Sequence, residues 1–246
     1  MIKTFTLLIL LMLIFSSDTF AQQNWGGGVD DEPFHFGFTF QFVSAEYKVR
    51  KNTTWREIAT DPSDPTGTDL KPSLYSISSP VSPGFGLGFV SNYRLGKNAD
   101  IRFTPALVFS DRLLDYQYEL SEDFKQQKVQ STLVDFPLGI KIKSDRRKNF
   151  RAYLLAGAKY SVDIVSKKKT NDLDKIWTEK FVKNNRNILW YEAGIGLDLY
   201  FEFFKLSPEL KLAHSLQSVL QPEPHPYSAP IDKLILRNLQ FSLYFE

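Results

Sequence analysis

The sequence predicts an all-β chain, an eight-stranded antiparallel up-and-down transmembrane β-barrel of the outer-membrane type. Three observations predict it: segments that alternate strictly between apolar and polar residues, a count of eight such segments, and long polar connections alternating with short turns. A barrel in lipid turns its apolar face outward and keeps charge inside, whereas a soluble sandwich buries the same face against a second sheet. A soluble sandwich has no need of regular alternation in connection length, so that rhythm favours the membrane form.

Composition agrees with this class. The 246 residues suffice for one large β domain, and 21 Phe with 11 Tyr suit both strands and interfacial aromatic girdles. A formal net charge of +2, without a recognisable nucleic-acid motif, argues against a nucleic-acid partner. Cysteine is absent, which excludes disulfides and thiolate metal sites.

Residues 1–21 read as a secretory signal peptide. Lys3 precedes an uncharged run from Phe5 to Phe15, too short for a transmembrane helix, and Thr19 and Ala21 supply the small residues cleavage requires. Residues 22–33, including the Gly-rich stretch Asn24 to Gly28, form a periplasmic lead, and 34–246 form the barrel.

The first strand runs from Phe34 to about Val49, with Phe34, Phe36, Phe38, Phe40 and Phe42 on one face. Five phenylalanines are much apolar area to leave against water. Past Val43 the apolar set passes to Ala45, Tyr47 and Val49, which implies a bulge or exit from the membrane. A polar segment from about Lys51 to Pro83 reads as an external loop. The second strand, Gly84 to Leu95, opposes Phe85, Leu87 and Phe89 to Gly84, Gly86 and Gly88, small residues that make room for large interior neighbours. After the turn at Gly96 to Asn98, Ile101, Phe103, Pro105, Leu107 and Phe109 mark the third strand, in which Pro105 lacks a donor. Asp111 to Gln127 is the second long connection.

Strands four and five form a hairpin from Ser131 to Ile164 about a basic turn, Ser144 to Asn149. Val134, Phe136, Leu138, Ile140 and Ile142 share one face of the first arm, and Asp135, Gly139, Lys141 and Lys143 share the other. Val165 to Asn187 is the third long connection. Strand six alternates Leu189, Tyr191, Ile195, Leu197, Leu199, Phe201 and Phe203 with Trp190, Glu192, Asp198 and Glu202. Strand seven, about Leu206 to Leu216, is interrupted by Pro208. After the Pro-rich connection Gln217 to Ile231, Leu239, Phe241, Leu243 and Phe245 mark strand eight. Both termini then face the periplasm, and the chain is expected in the cell outer membrane.

Inward-facing charges form a candidate interior network: Asp135 beside Lys159, Glu192 within reach of the same lysine, and Arg151 beside Glu202, with Lys141, Asp163 and Asp198 nearby. One reading is a gated or selective pore. The preferred reading is structural, because an eight-stranded barrel is filled by its own side chains and charges inside it must pair. The third connection carries Lys167, Lys168, Lys169, Lys175, Trp177 and Phe181, a basic, partly aromatic loop. It reads equally as a docking site for a partner protein or lipopolysaccharide phosphates, and as a solvated loop.

No catalytic residue, metal site, cofactor or small-molecule substrate is expected. His35, His214 and His225 stand in no metal-ligand spacing, and no nucleophile elbow, phosphate loop or dinucleotide fingerprint is present. Asp111 and Ser215 near His214 make a trio of the kind chance supplies.

The hairpin segment DFPLGIKIKSDRRKNFRAYLLAGAKYSVDI, with ADIRFTPALVFSDR at Ala99 to Arg112, resembles the PorT family of Bacteroidetes outer-membrane proteins. Asp135, Pro137, Leu138, Arg151, Ala152, Tyr153, Gly157, Lys159 and Tyr160 carry the likeness. The terminal strand, ending in Tyr244, Phe245 and Glu246, resembles the aromatic C-terminal strand of bacterial outer-membrane proteins, although its last residue is Glu. The resemblance to the PorT family implies a component of the type IX secretion system, which exports proteins bearing C-terminal sorting domains and in some relatives supports gliding motility. It implies other components of that system as partners, alongside outer-membrane lipid and lipopolysaccharide. A filled barrel cannot conduct a folded protein, so an accessory or assembly role is expected. A general structural or adhesin-like barrel and a small-solute porin are the alternatives.

Overall fold

The computed structural model describes residues 32–61, 70–119, 124–165, 172 and 175–246. The expected signal peptide, residues 22–31 of the lead, and Lys167, Lys168 and Lys169 lie outside the described residues.

Eight strands form the wall: β1 (Phe34–Lys51), β2 (Ser82–Arg94), β3 in two pieces (Ala99–Phe103 and Ala106–Phe109), β4 (Thr132–Lys143), β5 (Phe150–Asp163), β6 (Asn187–Tyr200), β7 (Lys205–Ser215) and β8 (Ile231–Phe245). Each pairs antiparallel with its sequence neighbours. Pairing of β1 with β8, from Phe38↔Phe245 to Arg50↔Lys233, closes the ring and removes the open edges a sheet would expose. Short turns and the first and last strand ends lie at one end of the barrel. The long connections lie at the other, called here the loop end.

The prolines act where their missing donors predict. Pro105 splits β3, yet Phe89 N donates to Pro105 O at 2.9 Å and Thr104 N to Pro137 O at 3.2 Å, so the wall stays continuous. Pro208 faces outward on β7, and the β6–β7 ladder lapses between Gly196↔Glu209 and Leu199↔Leu206. No bulge follows Val43, because register with β8 is unbroken as far as Arg50. The chemistry of both faces changes instead. Outward positions become polar at Ser44, Glu46 and Lys48, while inward positions become apolar at Val43, Ala45 and Tyr47.

The outer wall is apolar on every strand, with Phe36 70% and Phe89 71% exposed and no second sheet covering them. A band of this kind is far larger than the apolar patches soluble proteins leave in water, and it suits acyl chains. Among the described residues no helix is long and apolar enough to cross a membrane.

The long connections carry more order than loops. Leu74–Ser78, Arg112–Tyr118 and Phe124–Val129 form a three-stranded sheet, and Lys183–Asn184 pairs with Leu220–Gln221. The reason is an alternation inside the second connection, which sends Leu114, Tyr116 and Tyr118 inward. They join Val43, Ala45, Tyr47, Val108, Leu133, Trp190, Leu234 and Leu236 in an apolar core under the loop end. The interior therefore has two storeys, one ionic toward the turns and one apolar toward the loops.

Candidate functional site

The ionic storey is built by strand parity. Arg102 alternates with Ile101 and Phe103 on β3, and Glu209 and Lys211 alternate with Leu210 on β7, so each charge enters the interior while its neighbours face out. Arg102 Nη1 lies 2.9 Å from Glu209 Oε2, and Arg102 Nε donates to Asn92 Oδ1 at 2.8 Å. Glu209 also accepts from Tyr153 OH at 2.9 Å and Tyr244 OH at 3.1 Å. Glu246 points inward, 2.6 Å from Lys205 Nζ and 3.4 Å from Arg102 Nη2. Phe245 keeps the lipid-facing place beside it and stacks on Phe38 at 5.0 Å.

Further pairs complete this storey. Lys141 Nζ sits 2.6 Å from Asp198 Oδ1, which also accepts from Ser207 Oγ, and Lys143 Nζ sits 2.7 Å from Asp100. Each buried charge here meets its opposite, which is the condition under which charges stay out of water. Tyr153 lies over Gly196, whose missing side chain makes the space. A Cβ there would overlap the tyrosine ring.

Lys159 Nζ lies 2.8 Å from Asp135 Oδ2, and Ser161 Oγ donates to Asp135 Oδ1 at 2.6 Å. Glu192 does not reach Lys159. It lies 3.1 Å from Lys211 Nζ, because its strand neighbour on the other side, β7, presents a lysine to it. Glu202 is not inside the barrel. The strand ends at Tyr200, Phe201 N donates to Phe204 O in a tight turn, and Glu202 is exposed there. Arg151 faces Asp198 in register instead. Arg102, Glu209 and Glu246 were not among the expected residues, although their parity within alternating strands marks them.

At the loop end the fourth connection folds inward as a cap. His225, Tyr227 and Ser228 are buried, and the cap is tied to each other long connection. Asn52 Nδ2 donates to Ala229 O at 2.6 Å, Tyr116 OH to Tyr227 O at 2.6 Å, and Trp177 Nε1 to Pro224 O at 2.9 Å. Trp177, expected to be a docking residue, is thus largely buried as a tie, and Lys175 stands 4.0 Å over the Phe181 ring. Lys183 bridges Asp172 at 2.5 Å and Glu223 at 2.9 Å. Burial opposes the charge on Asp172, but Lys183 and the Phe181 N–H hold its carboxyl below the ordinary carboxylate range. Burial likewise opposes charge on Lys183, and the two carboxylates raise it above the ordinary lysine value.

Beside the cap, Lys128, Val129, Asp163, Ile164, Phe181, Lys183 and Arg186 line a groove of about 820 Å³. Its charges are mixed, since Lys128 is held by Asp111 and Lys183 by Asp172 and Glu223. The trio at His214 does not assemble. His214 stacks on Tyr191 on the outer wall, Ser215 Oγ faces inward to Gln217 O, and Asp111 pairs with Lys128. Among the described residues no three His, Asp or Glu side chains are grouped to hold a metal ion.

The family model described as outer membrane protein beta-barrel domain matches residues 20–221. No curated protein matches the chain. Among solved structures, the outer membrane protein OprG from Pseudomonas aeruginosa is similar with a TM-score of 0.48 at 13% identity, over 92% of this chain and 97% of that one. Neisserial surface protein A (NspA) is similar with a TM-score of 0.38 at 11% identity, over 87% and 98%. Ail, the attachment invasion locus protein of Yersinia pestis, gives 0.32 at 9%, over 87% and 98%.

Proposed function

Because the chain belongs to the family of outer membrane protein β-barrel domains, we propose that it is a sealed outer-membrane barrel serving the type IX secretion system as an accessory or assembly component. The observation that carries this reading is the Arg102–Glu209 ion pair. β3 and β7 stand on opposite sides of the eight-strand ring, so the pair spans the lumen, and Tyr153 and Tyr244 converge on it. With the apolar core and cap above, this speaks against passage of cargo or solute. Function then falls to the surfaces, the outer wall and the loop end, where other secretion components would dock. No catalytic residue is assigned.

The likeness of the β4–β5 hairpin to the PorT family supplies the secretion context, including an involvement in gliding motility. In this reading both termini and the short turns face the periplasm and the loop end faces outward, the usual disposition of such barrels. One feature favours a second reading, a general adhesin-like barrel. Tyr75 and Phe124 are exposed on the ordered sheet of the loop end and offer a ready contact face. Deletion of the gene separates the two. Loss of export of proteins bearing C-terminal sorting domains, restored by the intact chain, supports the secretion role; retained export rejects it.

A further inference from the structure

Charge on the outer wall is distributed unevenly. Above the apolar belt at the loop end, β2, β4, β5 and β6 present the neutral residues Pro83, Thr132, Val162 and Asn187 outward. The β7–β8–β1 side instead carries Lys48, Arg50, Lys233, Arg237 and His214, with Glu46 and Asp232 as its acids. Register fixes their arrangement. Glu46 stands opposite Arg237, Arg237 opposite His214, and Arg50 opposite Lys233.

Two of these cations are answered. Arg237 pairs with Glu46, and Arg50 Nε lies 2.9 Å from Asp232. Lys48 and Lys233 are exposed and have no acidic partner among the described residues. Arg50 and Lys233 stand directly opposite, where like charges destabilise a sheet; Asp232 answers Arg50 and leaves Lys233 without an acid of its own. Ile235, directly opposite Lys48, and the exposed Leu216, two residues beyond His214, carry the apolar wall up to the level of these cations, and Tyr191 stacks on His214 at 5.6 Å as an interfacial aromatic would. The patch therefore sits at headgroup height on the wall, away from both lumen and cap.

We infer that this face binds the phosphate groups of an outer-leaflet glycolipid of the lipid A type, with Lys48 and Lys233 as its ammonium donors. A zwitterionic phospholipid carries its own cation and satisfies the patch less well. The inference rests on the reading that the loop end faces outward.

The test uses the full chain in phosphatidylcholine vesicles containing diphosphoryl lipid A or its dephosphorylated form, with retained lipid counted by native mass spectrometry after detergent extraction. Wild type should retain the diphosphoryl form about tenfold better than the dephosphorylated one. The double variant Lys48→Gln, Lys233→Gln should lose that preference while keeping the heat-modifiable gel mobility of a folded barrel. Equal retention of both forms, or unchanged preference in the double variant, overturns the proposal. Trypsin added to intact cells tests the premise separately: cleavage in the Phe124–Val129 segment supports an outward loop end, and protection of that segment there, with cleavage after lysis, overturns it.

Discussion

Arg102 and Glu209 are 107 residues apart in sequence and meet across the full width of the barrel, with side-chain exposures of 2% and 0%. A pair in that position does two things. It sets two buried side chains across the lumen, and it ties β3 to β7 independently of the hydrogen-bonded wall. Such a pair stabilises only if both partners remain, since a lone buried charge costs several kcal/mol.

The Asp135–Lys159 pair tests the structural reading of the interior. Asp135→Ala and Lys159→Ala should each destabilise the barrel by about 3–5 kcal/mol, because each leaves the other charge buried. The double variant should lose less than the sum. Urea unfolding in lipid vesicles, read by loss of heat-modifiable mobility, measures this. Additive losses would show that the two side chains do not act as a pair.

Gly196 tests the packing of Tyr153. Gly196→Ala places a methyl group against the ring, and overpacking of this kind costs about 1–3 kcal/mol. Tyr153→Leu in the same background should recover part of the loss by clearing the ring, despite forfeiting the hydrogen bond to Glu209. Unfolding midpoints of the three variants decide the matter, and no recovery would place the strain elsewhere.

The cap carries a pH dependence through His225. Tyr227 N donates to its Nδ1 at 3.3 Å, so Nε2 holds the ring proton and faces Glu223 at 3.5 Å. Burial lowers the His225 pKa below 6.5, against Glu223 and Asp172, which raise it, and with Lys180 and Lys183, which lower it further. An opened cap would bind a proton at the ordinary value while the closed cap resists it. Cap stability is thus complete above about pH 6.5 and falls as pH drops from there toward the lowered value. Hydrogen exchange at Tyr227 should be faster at pH 5.5 than at pH 7.5 after correction for intrinsic rates, and His225→Asn should remove the difference. Equal corrected rates in the wild type would contradict this assignment.

How far the sequence could be read follows from distance along the chain. The period of two in Phe34 to Phe42 is local, and it fixes the lipid face. The hairpin turn at Ser144 to Asn149 likewise leaves little freedom for Asp135 and Lys159 to miss each other. Alternation continued two residues beyond Tyr200, where the strand ends, puts Glu202 inside when it stands in the turn. Both strands beside Glu192 present a lysine, Lys159 and Lys211, and sequence alone does not rank them. Parity marks Arg102 and Glu209 as inward-facing, but their pairing lies out of reach, since strand tilt and stagger decide which charges share a level. The outer sheet was hidden because Arg112 to Tyr118 mixes charge and aromatics, the look of a loop, while its alternate residues serve the core.

Recording from planar bilayers tests the sealed barrel most directly. With the purified full chain inserted, and insertion verified by heat-modifiable mobility, the account expects a silent membrane at applied voltages of either sign. Reproducible stepwise currents that scale with salt concentration would contradict it, because ions would then be passing the level at which Arg102 and Glu209 close the lumen.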